Sequence, residues 1–101
     1  MLITRWQAPK VPKKEQIKIW FEAEGLTPKE ELLQPQEEFT DLRHPFDEVI
    51  MVAEGEIILD IAGNKLLLRS GDKIVIPSNT KFSKKVGSDT PCMLIVANKL
   101  Y

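Results

Sequence analysis

Apolar and polar residues change rhythm about a third of the way along the chain. Before residue 36 the apolar positions are scattered, and Pro9, Pro12, Pro28 and Pro35 interrupt them. One stretch there keeps a helical spacing. Ile17, Trp20, Phe21 and Glu24 recur at intervals of 3, 4 and 7, which sets three apolar groups on one face. Pro12 suits a first helical position, Gly25 a C-terminal stop, and Pro28 lies three residues beyond it. The spacing predicts one helix of about three turns, marginal alone in water. Its Ile-Trp-Phe face is expected to pack against the rest of the chain or against a second subunit.

From residue 49 the rhythm is that of strands. Val49–Ala53 is a short apolar run that ends at Glu54-Gly55. Glu56–Ala62 alternates, with Ile57, Leu59 and Ile61 on one face and Ile58 and Asp60 on the other. Gly63-Asn64 reads as a two-residue hairpin turn, because both residues tolerate a positive φ. Lys65–Arg69 returns, Ser70-Gly71-Asp72 turns again, and Lys73–Ile76 is a strand that stops at Pro77. Residues 77–80 form a loop, and Lys81–Val86 and Cys92–Ala97 are further strands. Short strands with a turn every eight to twelve residues or so mean a sandwich or a small barrel.

Composition narrows the function classes. A chain of 101 residues supports one domain with one core. Fourteen Lys and Arg stand against 15 Asp and Glu, so the basic excess of a nucleic-acid-binding domain is missing. Lys81, Lys84 and Lys85 are the one local basic cluster of the C-terminal half, read as a solvated strand edge. One Cys and one His exclude an intrachain disulfide and a Cys/His zinc cluster. The first residues lack the apolar run of a secretory signal, and no apolar stretch approaches the roughly 20 residues of a membrane span. A cytoplasmic protein with no membrane and no nucleic-acid partner is expected.

Two stretches, read together, carry a resemblance. The first is Arg43-His44-Pro45-Phe46-Asp47-Glu48 with six residues between Glu48 and Gly55; the second is Gly71 followed by Pro77. They resemble the second half of the first cupin motif, G-x5-H-x-H-x3,4-E-x6-G, and the start of the second, G-x5-P-x-G-x2-H-x3-N. The 15 residues between them match the spacing of small cupins. The resemblance covers residues 36–97 and implies an antiparallel jelly-roll barrel. The chain also departs from it. The leading His position holds Leu42, and the second motif's Gly, His and Asn positions hold Asn79, Phe82 and Val86. Metal-binding cupins use three His and one Glu, and only His44 and Glu48 remain. The resemblance therefore implies a barrel with no tightly held metal and no cofactor.

The remaining candidates are weighed on their positions. His44 either fills space with one hydrogen bond or touches a ligand in the barrel mouth. If Ile50 and Val52 face the interior, alternation turns Glu48 inward as well. A buried carboxylate needs a partner or takes up a proton. Phe82, Lys84 and Val86 share a face, so Lys84 is offered as that partner for Glu48, or else as a rim cation meeting an anionic ligand. Cys92 is expected to be a small buried hydrophobe, and Met51 and Met93 to lie in the core. Trp6 and Trp20 are expected to seal the barrel or a dimer interface.

The expectation is an all-β protein: a cupin-type antiparallel jelly-roll barrel over 36–101, with an N-terminal arm and one short helix over 1–35. A homodimer is expected, with Ile17, Trp20, Phe21, Leu2 and Ile3 as interface surface. Function is expected to be metal-free small-molecule binding or regulation, through His44, Glu48, Lys84 and Phe82 and with no catalytic residue assigned. The alternative is an enzyme, an isomerase or epimerase or a metal-dependent dioxygenase acting on a small sugar or acid. A third reading is a partner-binding protein whose interior Leu42 and Phe82 pack solid.

Overall fold

The computed structural model describes residues 2–99; Met1, Leu100 and Tyr101, at the outer ends of the two expected segments, lie outside the described residues. The elements are β1 (Leu2–Thr4), α1 (Lys14–Ala23), β2 (Lys29–Leu33), β3 (Glu38–Leu42), β4 (Asp47–Glu54), β5 (Glu56–Ile61), β6 (Asn64–Arg69), β7 (Lys73–Ile76), β8 (Phe82–Lys85) and β9 (Cys92–Lys99). The strands form two antiparallel sheets, one in the order β1-β7-β4-β9-β2 and one in the order β3-β8-β5-β6. This is an all-β sandwich of the jelly-roll kind, closed by one helix. No helix among the described residues is long and apolar enough to cross a membrane.

The unbroken apolar run at Val49–Ala53 has a simple cause. β4 sits at the centre of the five-stranded sheet and is covered on both faces. Ile50 and Val52 point into the sandwich with Ile57, Leu59, Ile61, Leu68, Ile74, Ile76 and Leu94. Val49, Met51 and Ala53 point outward under α1, where they meet Ile17, Phe21, Ile95 and Ala97. A strand buried on both faces has no polar alternation to show. β5, covered on one face, keeps it.

Three details differ from the sequence expectation. First, α1 begins after its N-cap Lys13, so Pro12 lies just before the cap rather than in the first turn. Second, the helix's apolar face is spent within the chain. Ile17 and Phe21 are 0% and 1% exposed, whereas Trp20 lies at the edge, its ring 5.9 Å from that of Trp6. The Ile17-Phe21 face is therefore not available to a second subunit. Third, the β5–β6 turn is Ala62-Gly63, not Gly63-Asn64. Both residues have positive φ, 51° and 86°. The register decides it: Ile57 faces Leu68 and Leu59 faces Leu66. A turn one residue later would set Ile57 opposite Ser70.

β1 and β2 add two strands to a segment read from sequence as an arm and a helix. β1 pairs with β7 and β2 with β9. β1 is held by one carboxylate. Asp72 accepts hydrogen bonds from the Trp6 and Arg69 amides at 2.9 and 3.0 Å and from Arg5 at 2.9 Å. Partial burial pushes the Asp72 carboxyl up, but those three donors outweigh it and hold its pKa below the ordinary value. A folded-state pKa below the unfolded one adds stability at neutral pH that is lost as pH falls through the folded value. Asp72→Asn is expected to cost about 1 kcal/mol near pH 7. The gap from the parent should narrow in melts as pH falls below the usual aspartate value and through the lower folded one.

Candidate functional site

The two sheets part where the β2 edge of one meets the β3 edge of the other. A cavity of about 380 Å³ opens there, lined by side chains of β2, β3, β4, β8 and β9 and of the loop between β3 and β4. Of the four residues singled out from the sequence, His44, Glu48 and Lys84 line it; Phe82 does not, and is buried with its ring against His44.

His44 is placed by two loops that hold each other. The Asn79 amide donates to the His44 carbonyl at 2.7 Å, and the Ser78 amide donates to Asp47 Oδ1 at 2.8 Å. Asn79 stands where the cupin motif has glycine and takes φ 59°. Asn is the side chain that tolerates this left-handed region best after glycine, so the departure leaves the turn intact. The imidazole lies parallel to the Phe46 ring at 4.9 Å and tilted against the Phe82 ring at 5.7 Å. Its Nε2 is 3.0 Å from Glu48 Oε2.

Glu48 lies on the inner face of β4 beside Ile50 and is 7% exposed. Burial raises its pKa; the positive charge of Lys84 and the His44 ring oppose this, and Glu31 adds to it. A carboxyl whose folded pKa lies above the unfolded one costs stability when ionised, and the cost vanishes in acid. Glu48→Gln is therefore expected to melt at or above the parent near pH 8 and to lose that advantage near pH 4. Thermal denaturation across that range checks the sign.

Lys84 points inward between Phe82 and Val86, as alternation requires, and is 7% exposed. Its partner is not Glu48. The Nζ atom bonds Glu31 Oε1 on β2 and sits 5.6 Å over the Phe39 ring. Glu48 has His44 instead. Glu31 is the ion-pair partner that sequence reading missed, and Glu37, Phe39 and Phe46 are further wall residues it did not single out. The signal for Glu31 was alternation with the buried Leu33 two positions on, masked by the charged neighbours Lys29 and Glu30 and the exposed Leu32.

Two other features carry no chemistry. Burial, with the nearby Glu31 and Glu56 carboxylates, pushes the Cys92 thiol up to about 12, so it packs as a hydrophobe rather than reacting as a thiolate. A wider groove of about 940 Å³ runs under the N-terminal arm. Its Arg5 is already paired with Asp72, and its Arg69 lies 3.9 Å from Glu56.

A metal of the cupin type would need more donors than the cavity offers. Leu42 and Phe82, at the two vacated His positions, are directly opposed across β3 and β8. The two remaining donors face each other, and no three His, Cys, Asp or Glu side chains among the described residues are grouped to hold an ion. A catalytic centre normally needs three protein ligands. These residues do not fit the group.

A double antiparallel sheet with a cavity at its open end defines the class: a small jelly-roll barrel protein. Residues 29–98 match the cupin domain family, and the chain belongs to it. No curated protein matches. Solved structures agree on the fold. TT1209 from Thermus thermophilus superposes with a TM-score of 0.63 at 23% identity, over 68% of this chain and 67% of that one. An RmlC-like cupin from Shewanella frigidimarina gives 0.65 at 22%, over 72% and 64%. The Cnp3 cupin domain of Schizosaccharomyces pombe gives 0.71 at 9%, over 75% and 56%. Oxalate oxidase and a salicylate 1,2-dioxygenase from Pseudaminobacter salicylatoxidans are further matches, of which this chain spans 41% and 20%. At such identities the likeness speaks for the fold alone.

Proposed function

We propose that the chain binds a small organic molecule in the cavity between β2 and β3, without a metal, as a binding or regulatory module. The observation that carries this reading is the wall composition. Apolar Leu42 lines the cavity at one ligand position of the family and Phe82, at the other, is buried beside it, while Glu31, Glu37, Glu48, His44 and Lys84 keep polar groups at the cavity. Polar groups converging on an otherwise apolar cleft are the usual form of a small-molecule site. The test is metal analysis of protein purified without added metal, followed by ligand-observed NMR against a set of small amines, acids and sugars. A stoichiometric ion bound through His44 would overturn it.

One observation favours a second reading. The His44–Glu48 contact of 3.0 Å is an acid–base pair on a cavity wall, the minimum for a metal-free isomerase or epimerase. Catalysis would appear as deuterium exchange at an acidic C–H of a bound ligand, lost in His44→Gln. The reading also takes the protein to be a cytoplasmic homodimer. Leu2, Ile19 and Trp20, at 66%, 58% and 37% exposed, are apolar surface left for a second copy. A monomeric mass in light scattering would refute the dimer.

A further inference from the structure

We propose that the occupant of this cavity is a small organic cation, an amine on an apolar or aromatic body, rather than an acid. The inference rests on the small-molecule reading above and adds the sign of the ligand's charge. Three carboxylates, Glu31, Glu37 and Glu48, and one ammonium, Lys84, line the cavity beside a single imidazole. Carboxylates thus outnumber the ammonium on the wall. A carboxylate ligand would add one more to a half-enclosed space, where unpaired charge is costly. An ammonium would offset the excess.

The partners already made point the same way. Lys84 is committed: its Nζ bonds Glu31 and lies over Phe39, so its charge is largely neutralised before a ligand arrives. Glu48 is less committed. Its Oε2 meets the His44 imidazole rather than an ammonium. Glu48 is thus the wall carboxylate that a ligand's ammonium would approach. The ring of Phe39 already receives one cation on its face at 5.6 Å. Phe46 is the second aromatic wall. Aromatic faces attract ammonium groups and do nothing for a carboxylate. At the rim, Leu32 and Phe39 are 53% and 39% exposed, apolar surface that a ligand's body would cover. The volume of about 380 Å³ is at the small end of ligand sites, which fits one ring with a short chain.

The test uses three probes of one shape: phenethylamine, hydrocinnamate and phenethyl alcohol. Each is titrated into the full chain near neutral pH while amide and aromatic NMR shifts are followed. The expected result is that phenethylamine shifts the Phe39, Phe46 and Lys84 signals at the lowest concentration. Glu48→Gln should weaken that binding about tenfold, one charge-assisted hydrogen bond, and leave the alcohol unaffected. The variant's own dispersed spectrum shows that it is folded. Tighter binding of hydrocinnamate would overturn the cationic assignment and leave the small-molecule reading standing. Equal binding of all three, or an amine affinity unchanged in Glu48→Gln, would overturn the assignment as well. No shift with any probe at about 10 mM, the weak end for a fragment this small, would remove both.

Discussion

Replacing Gly55 by alanine is expected to destabilise the fold by about 3 kcal/mol, a large loss for the addition of one methyl group. Two costs add. The residue has φ +79°, a region that costs an L side chain roughly 1–2 kcal/mol. A Cβ there would lie 2.5 Å from the Pro91 carbonyl oxygen and 3.1 Å from Cys92 Cα. Both are backbone atoms, at the start of a strand paired with β4 on one side and β2 on the other. They cannot step aside without shifting a sheet, and overpacking of that kind costs about 1–3 kcal/mol. Gly63 is the control. Its φ is +86°, but nothing lies within 4 Å of its Cβ position, so Gly63→Ala should show the backbone cost alone. Urea unfolding of both variants separates the two terms. Equal losses would show that the Pro91 contact is not a constraint.

Lys84→Met is expected to cost about 2 kcal/mol. A fully buried pair loses roughly 3–5 kcal/mol when one partner is removed. Here the Glu31 side chain keeps 33% exposure and can recover part of its hydration. The decisive result is the coupling. Adding Glu31→Gln to Lys84→Met should restore most of the loss, because no charge is then left unpaired. Adding Glu48→Gln should restore much less. A double-mutant cycle measures both terms. Stronger coupling of Lys84 to Glu48 than to Glu31 would contradict the geometry of the cavity.

These two variants mark what the sequence could and could not reveal. Gly55 and Gly71 were legible because each answers a local demand. Gly55 must let β9 approach, and Gly71, at φ +93°, would place a Cβ 2.5 Å from Trp6 Cγ. The positive φ at each is the local part of that demand, and the approach of Pro91 or Trp6 adds to it. β5 and β7 were legible for a related reason: one covered face leaves an alternating record. The Lys84–Glu31 pair was not legible, since it joins strands 53 residues apart and one of them hides its period behind adjacent charges. A buried lysine announces that it needs an anion but not which one. The helix shows the same limit. Its spacing identified Ile17 and Phe21 as one face, yet only the outer side of β4 and β9 shows that this face is consumed internally.

The Asp72 clasp also sets an order of events. Arg5 and Trp6 are anchored by a residue 67 and 66 positions further on. Loop closure over that length must precede the contact. In synthesis from N- to C-terminus, β1 leaves the ribosome before β7, its only strand partner among the described residues, and waits for it. At ribosomal rates of about 5–20 residues per second, that delay lasts several seconds. During it, Ile3 and Trp6 lack the partners they pack against in the folded chain, so the β1 segment stays open to other contacts until β7 arrives.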